Sequence, residues 1–179
     1  SIHLQISELQ SLGVLMKFIL SSPAFNNYGV MPKKYTCEGK NVSPPLKWKG
    51  APKGTMSFAL TVEDPDAPDP KHPKMVWDHW VIYNIPGDKE ALAEDYGDLP
   101  VGSCHGLNSW KKIGYSGPCP PTGRHRFIFT LYSLGQYFER LGKPTKTKLL
   151  VQIEPYLLAR AKLMCTYELE HGRAVSSNM

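Results

Sequence analysis

A histidine and an arginine lie where a stiff loop becomes an apolar strand, near residue 125. The run 120–126 contains two prolines and a glycine, ends in His125 and Arg126, and is followed by the apolar run 127–132. A ring nitrogen fixed at the mouth of a rigid strand can bind a ligand. Because successive strand residues face opposite ways, we expect His125 to face such a site and Arg126 to anchor a carboxylate behind it, with Asp66 as the partner.

Carboxylates gather at the end of a second apolar run, residues 55–62. The acidic and proline-rich segment 63–70 follows it directly and contains Asp64 and Asp66. The alternation of large and small residues along the run places Asp64 on the large apolar face, so its carboxylate should point where the core opens. The two carboxylates can accept hydrogen bonds from a ligand or share a proton, although an ordinary turn is the simpler interpretation of this segment taken alone.

A second histidine and a glycine-containing loop can complete such a site. His79 lies between Trp77 and Trp80 at the start of an apolar strand, where a buried structural histidine is an equally good interpretation. In the loop 115–121, Gly117 permits close approach of the backbone to a ligand, and the prolines stiffen the chain. The backbone N–H groups of such a loop can receive an anion.

The composition indicates a soluble globular chain that is rich in turns. The 179 residues suffice for one domain with a sizeable core, and the 16 prolines and 15 glycines fall between short apolar runs. The net charge of +5 comes from scattered basic residues without a nucleic-acid-binding motif, so we expect no nucleic-acid partner, and the surface favours acidic head groups or small anions over cationic ligands. No apolar stretch approaches membrane-spanning length, and we expect a cytoplasmic protein.

The four cysteines have no spacing that is typical of a metal site. The absence of a CxxC or paired His/Cys motif argues against structural zinc. An even count permits two disulfides, but a chain of this length does not need them, so we expect free thiols in a reducing compartment. The residues concerned are Cys37, Cys104, Cys119 and Cys165.

Apolar runs separated by turns predict a mostly β domain. The stretch 126–132 is apolar at nearly every position, which predicts a central strand covered on both faces. One helix is predicted over 147–160, kinked or split at Pro155, and the long loop 99–121 lacks periodicity. We divide the chain into an N-terminal extension (1–15), a single domain (16–170) and a flexible tail (171–179). The strands are predicted at 17–21, 46–48, 55–63, 77–85, 126–134 and 164–169.

Four motifs follow one another along the chain: DPDAP at 64–68, WDHW at 77–80, GYSGP at 114–118 and GRHR at 123–126. In this order they resemble the phosphatidylethanolamine-binding protein family, and in particular its bacterial and archaeal branch of Raf-kinase-inhibitor-like proteins. The resemblance covers roughly residues 16–169. It implies a large central antiparallel sheet packed against a smaller sheet, a few helices, and a cis peptide bond between Ala67 and Pro68.

The resemblance also implies a small pocket for phosphate-like anions or phospholipid head groups. By matching position, the pocket would be built from Asp64, Asp66, His79, Gly117, Pro118 and His125, with Trp77, Tyr115 and Arg126 in support. The family commonly has a tyrosine where this chain has Phe127, so one hydroxyl contact to an anion is missing. The resemblance implies no cofactor, and it leaves open a protein partner, such as a kinase, and a homodimer.

Three functions compete at this stage. The leading hypothesis is non-catalytic binding of small anionic ligands, with regulation of a partner protein as a further role. A hydrolase could use Asp64 and His125 as acid and base, and a metal-dependent enzyme could hold zinc or iron with His79, His125 and an aspartate. Because no G-x-S-x-G motif is present, we expect binding rather than catalysis.

The charge balance decides whether this pocket can hold an anion. Two ionised aspartates would repel phosphate, so we expect protonated His79 and His125, with Arg126 behind them, to offset the aspartates. Like charges at close range also raise the pKa of one carboxyl, which could then donate to a phosphate oxygen. The affinity for anions should fall as the pH rises through the histidine range.

Overall fold

Strands are the main regular structure of the computed structural model, which describes residues 17–95, 99–139 and 141–170. The predicted extension over 1–15 and the predicted tail over 171–179 lie outside the described residues. Within them the elements are β1 (Ile19–Ser21), β2 (Gly29–Val30), β3 (Leu46–Lys49), β4 (Ser57–Ala67), β5 (Met75–Pro86), β6 (Ala91–Leu92), β7 (Cys104–His105), β8 (His125–Leu134), helix α1 (Lys146–Ile153) and β9 (Leu157–Tyr167).

The strands form two sheets. The larger has six strands in the order β2-β9-β8-β4-β5-β7, and its pairs are antiparallel except for the parallel pair of β2 with β9. The smaller has three strands in the order β1-β3-β6, all antiparallel. The predicted architecture, a large central sheet against a smaller one, is confirmed.

The alternation of side chains along β4 separates two apolar layers. Phe58 and Leu60 belong to the cluster that packs against the small sheet through residues such as Trp48, whereas Ala59 faces the other side, where Leu149 of α1 covers the sheet. β8 lies between β4 and β9, and most of its side chains are buried. The prediction that this strand is central and covered is therefore confirmed.

The predicted helix over 147–160 is wrong in its second half. Helix α1 ends at Ile153, a short 3-10 turn covers Glu154–Tyr156, and β9 begins at Leu157. Pro155 has no N–H and its ring clashes with the preceding turn, so the α-helix ends instead of bending. Leu157 and Leu158, which lie within the predicted helix, start a strand that pairs with β8. This α-helix is far shorter than the roughly 20 residues of a membrane span, and no described helix is long and apolar enough to cross one.

Two of the four cysteines form a disulfide, which corrects the expectation of free thiols throughout. Cys37 and Cys119, 82 positions apart, are bonded to each other, whereas Cys104 and Cys165 are free. The spacing of the cysteines gave no sign of this bond, because it depends on the packing of segment 35–41 against the loop 115–119. The argument from free thiols to a reducing compartment no longer holds, so the cytoplasmic location stays a prediction.

Candidate functional site

A cavity of about 230 Å³ opens at the end of the large sheet, where β4, β5 and β8 meet the loop that precedes β8. The cis Ala67–Pro68 peptide, implied by the family resemblance, is present and forms part of its rim. The residues around the cavity are Asp64, Ala67, Pro68, Met75, Trp77, His79, Trp110, Cys119, Pro120, Pro121 and His125. The structure thus brings together one carboxylate and both predicted histidines.

His125 and Asp64 form a buried pair at the wall of this cavity. Nδ1 of His125 lies 2.6 Å from Oδ2 of Asp64, and Nε2 lies 2.8 Å from the carbonyl oxygen of Thr122. Both ring nitrogens thus face oxygen acceptors, an arrangement that suits an imidazolium donating twice. Burial alone would lower the pKa of His125, but the hydrogen bond and the charge of Asp64 override burial and raise it.

This geometry changes the role expected for His125. The sequence pointed to a ring nitrogen available to a ligand, whereas both nitrogens are bonded within the protein. The second oxygen of Asp64 accepts the backbone N–H of Asp66 at 2.8 Å. His125 therefore balances the charge of Asp64 and fixes its orientation.

Asp66 lies behind this pair and is bound by Arg126, as predicted from strand alternation. The guanidinium donates from Nε to Oδ2 at 3.0 Å and from Nη2 to Oδ1 at 2.9 Å, and the backbone N–H of Arg126 adds a third bond at 2.8 Å. These bonds lower the pKa of Asp66 against the effect of burial. The expectation that crowding raises a carboxyl pKa is therefore wrong for Asp66, which is held ionised.

His79 lines the cavity with one ring nitrogen bonded to the protein. Nδ1 lies 2.6 Å from the carbonyl oxygen of Ser116, which leaves Nε2 as the nitrogen that a ligand can use. Burial is the largest influence and lowers the pKa of His79, although hydrogen bonds to the Ser116 and Gly117 backbone and the charge of Asp64 oppose it. The expected protonated state at neutral pH is therefore wrong for this residue: His79 is neutral there.

A β-bulge explains how His79 reaches the cavity. Val62 pairs with Trp80 and Glu63 pairs with Asp78, so His79 has no partner on β4. The extra residue lets Trp80 enter the apolar core while its neighbour His79 lines the cavity, a known use of bulges at functional sites. Alternation of residue types in the sequence carries no signal for such an insertion.

The loop between β7 and β8 holds the bulge in place through hydrogen bonds to its backbone. The N–H of Ser116 donates to the carbonyl oxygen of His79 at 3.2 Å, and the N–H of Asp78 donates to Oγ of Ser109 at 2.8 Å. The rings of Trp110 and Phe127 contact His79 edge to face, with centroids 5.1 and 5.3 Å from that of the imidazole. Phe127 is completely buried, so the position that commonly holds a tyrosine packs the histidine ring instead of offering a hydroxyl.

Gly117 and Pro118 are buried behind the cavity and do not line it. The N–H of Gly117 donates to Oδ1 of Asn41 at 2.8 Å, and a Cβ at this glycine would lie 2.1 Å from the carbonyl oxygen of Tyr35. The carbonyl oxygen of Pro118 accepts the N–H of Cys37 at 3.1 Å. Glycine is therefore required here for close contact with protein backbone and not with a ligand.

The aromatic residues that were predicted to support the site pack around the cavity. Tyr115 donates its hydroxyl to the carbonyl oxygen of Tyr35 at 2.7 Å and packs edge to face on Trp80. Trp77 lines the cavity and packs edge to face on Trp110. Sequence reasoning missed Trp110 because nothing in its neighbourhood, a loop without periodicity, indicates which residues turn inward.

A metal site does not emerge from the described residues. Among the described ranges 17–95, 99–139 and 141–170, no group of three or more histidine, cysteine, aspartate or glutamate side chains is arranged to hold a metal ion. The predicted set of His79, His125 and an aspartate is brought near one cavity, but both nitrogens of His125 are already bonded within the protein.

Comparison with known proteins agrees with the fold. The family model described as phosphatidylethanolamine-binding protein matches residues 21–168. A curated relative, the UPF0098 protein of Methanothermobacter thermautotrophicus, is 45% identical over 151 residues, which cover 83% of this chain and 97% of the relative.

Two solved structures are similar over most of the chain. The structure described as a putative phosphatidylethanolamine-binding protein homologue, CT736 of Chlamydia trachomatis, is 37% identical, with a TM-score of 0.79, and the match covers 86% of this chain and 98% of that one. YbcL of Escherichia coli, described as a new member of the mammalian family, is 30% identical, with a TM-score of 0.77 and coverage of 86% and 99%. Fold and site together define a β protein with a small, charge-balanced ligand cavity. The chain belongs to the phosphatidylethanolamine-binding protein family.

Proposed function

We propose that the protein binds a small phosphate-like anion, free or as a phospholipid head group, in the cavity walled by Asp64, His79 and His125. The observation that carries the proposal is the placement of His79. Its Nδ1 is fixed by Ser116, its ring is clamped by aromatic neighbours, and its Nε2 is left for a ligand. A protonated His79 offers an anion a buried N–H donor, which is a strong, charge-assisted hydrogen bond.

The charges around the cavity are compatible with this ligand class. The carboxylate of Asp64 is balanced by His125, and that of Asp66 by Arg126, so neither presents an uncompensated negative charge. His79 then sets the sign of the site, neutral when unprotonated and positive when protonated. Lys71, Lys74, Lys111 and Lys112 lie exposed in the two loops that flank the cavity, and they add a weaker, salt-screened attraction for anions.

The size of the cavity limits the ligand. Its volume of about 230 Å³ is below the 300–1,000 Å³ of typical drug-sized pockets, so it suits a phosphate or head group more than a whole lipid. Apolar and aromatic side chains at its mouth, including Met75 and Trp110, are compatible with a ligand that carries an organic chain outward. The name of the family and that of the related protein from Chlamydia trachomatis agree in kind with a phospholipid head group.

We further propose that the site binds without catalysis. A general base needs a nitrogen that can accept a proton from substrate or water. His125 has both nitrogens bonded to protein oxygens, and His79, although its Nε2 is free, is a weak base because burial lowers its pKa and only a backbone carbonyl lies behind its Nδ1. The protein partner, the homodimer and the cytoplasmic location suggested by the sequence stay predictions.

A titration with amide and ring NMR signals tests the binding proposal. Inorganic phosphate, phosphoethanolamine and a short-chain phosphatidylethanolamine are added in turn to the wild type and to His79→Gln, with the exposed His72→Gln as a matched control. We expect shifts centred on residues 64, 77–79, 110 and 119–125, lost in His79→Gln and retained in His72→Gln. Shifts centred elsewhere, or unchanged binding by His79→Gln, would overturn the proposal. Binding of the lipid without free phosphate would identify the head group as the source of the anion.

A further inference from the structure

A lysine from helix α1 joins two acidic side chains on the face of the large sheet opposite the cavity. Nζ of Lys146 lies 2.6 Å from Oε2 of Glu63 and 2.9 Å from Oδ1 of Asp78. The three side chains are only 13%, 26% and 16% exposed, respectively. Such a shielded triad interacts more strongly than an exposed ion pair.

The triad sits directly behind the candidate site. Glu63 precedes Asp64 on β4, Asp78 precedes His79 on β5, and Glu63 and Asp78 face each other in the register of the two strands. The side chains that line the cavity come from the next residue along each strand. Lys146 therefore bridges the two strands next to Asp64 on β4 and His79 on β5.

The pairing of β4 with β5 is interrupted on both sides of the triad. The register shifts between Val62 and Glu63, where His79 is inserted, and shifts again between Asp64 and Ala67. Only two successive pairs, Glu63 with Asp78 and Asp64 with Trp77, lie between the two irregularities. A short paired segment bounded by irregularities on both sides needs support from outside the ladder.

The positive charge of Lys146 is needed to hold Glu63 and Asp78 together. Burial raises the pKa of Asp78, while the hydrogen bond and charge of Lys146 act against it. For Lys146 itself burial works to lower the pKa, and the two carboxylates override burial and raise it. Without the ammonium group, two like charges would face each other across the paired strands, which is destabilising.

We propose that Lys146 is a positioning residue: it clamps β4 to β5 beside the bulge, and so aims His79 and Asp64 into the cavity from the opposite face of the sheet. This inference rests on the proposed function where phosphate binding is the readout, but the ring titration of His79 tests it without any ligand. Because losing the ammonium charge by itself also raises the pKa of His79, the double variant Glu63→Gln/Lys146→Met, which keeps the net charge of the triad, separates positioning from charge.

The test compares Lys146→Met with Lys148→Met, a matched change at an exposed lysine on the same helix. The pKa of the His79 ring is measured by ¹H–¹³C NMR in protein without ligand, with the signal assigned among the six histidines by its loss in His79→Gln. We expect Lys146→Met to raise this pKa, because the unpaired carboxylates and the loosened wall both favour the imidazolium. At a pH low enough for His79 to be protonated in both proteins, phosphate should bind about tenfold more weakly to Lys146→Met because the imidazolium is no longer aimed into the cavity, a coupling typical of residues in one network.

The outcomes separate the two proposals. A folded Lys146→Met protein with the wild-type His79 pKa and wild-type phosphate affinity overturns the positioning role. If the wild type binds no phosphate, the proposed function fails, and the His79 pKa alone decides the role of Lys146. Should Lys146→Met not fold, the double variant Glu63→Gln/Lys146→Met, in which like charges no longer face each other, replaces it, and a wild-type His79 pKa there overturns the role equally.

Discussion

Asp64 and His125 form an ion pair across β4 and β8 in which the imidazole is completely buried and Nδ1 lies 2.6 Å from the carboxylate. Since Nε2 of the same ring is bonded to the Thr122 carbonyl, the pair is saturated from within the protein. The charge of Asp64 is thereby neutralised before any ligand arrives, which leaves His79 to respond to the ligand.

Breaking this pair should destabilise the protein strongly. His125→Leu leaves the Asp64 carboxylate buried without its cation, and we expect the free energy of unfolding to fall by about 3–5 kcal/mol. Urea unfolding followed by tryptophan fluorescence measures the loss. The matched change at the exposed His72 should stay within about 0.5 kcal/mol of the wild type. A loss at His125 no larger than that at His72 would contradict the buried charge pair.

The two buried histidines should give stability a maximum near their ordinary pKa of about 6.5. The pKa of His125 is raised in the folded state, so its contribution is complete below about 6.5 and is lost as the pH rises through the folded pKa. The pKa of His79 is lowered, so the unfolded chain binds the extra proton below about 6.5 and stability falls as the pH drops toward the folded pKa.

Urea midpoints from mildly acidic to mildly alkaline pH check this maximum. In His79→Gln the urea midpoint should no longer fall on the acidic side of the maximum, while the alkaline side stays unchanged. A wild-type urea midpoint that rises steadily over the whole pH range would contradict this prediction.

Arg124 and Arg126, which flank His125, offer a second comparison because they make ion pairs of different burial. Arg126 binds the buried Asp66 through three hydrogen bonds, whereas Arg124 pairs with the exposed Glu168. Arg126→Met should lower the free energy of unfolding by about 1–3 kcal/mol, since the backbone bond to Asp66 remains. Arg124→Met should cost less than about 1 kcal/mol. Equal losses in chemical denaturation would show that Asp66 is not held by the Arg126 side chain.

The disulfide should contribute to both stability and ligand binding. Replacing Cys37 and Cys119 with serine opens a closed loop of more than 80 residues, and we expect a loss of about 2–4 kcal/mol. Because Cys119 lines the cavity, phosphate binding should weaken as well. Cys104→Ser, which alters a free thiol away from the cavity, is the control. A double-serine protein as stable as the wild type would exclude a structural role for the bond.

Hydrophobic patterns and local chemistry in the sequence predicted several strands and one ion pair correctly. The central strand β8 follows from an almost unbroken apolar run. The core face of β4 and the bond between Arg126 and Asp66 follow from alternation along single strands, and a sequence displays both patterns directly. The family resemblance added the two-sheet architecture and the cis Ala67–Pro68 bond.

What escaped prediction depends on contacts between distant segments. The bulge at His79 appears only when β4 and β5 are paired, and the Cys37–Cys119 bond only when their loops pack. The second bond of His125 to Thr122 likewise needs the loop conformation that brings a carbonyl onto the ring. The start of β9 at Leu157 was hidden because leucines suit a helix face and a strand equally well in the absence of a partner.

The pH dependence of phosphate affinity tests the central claim most directly. A bound anion favours the imidazolium form of His79, whose pKa is lowered by burial in the free protein. The dissociation constant for inorganic phosphate, measured by calorimetry at fixed ionic strength, should therefore rise with pH by up to about tenfold per unit above that pKa. His79→Gln should bind too weakly at every pH for a dissociation constant to be measured, and His72→Gln should preserve the dependence. An affinity that stays constant from mildly acidic to mildly alkaline pH, in a protein that binds phosphate at the cavity, would contradict the account.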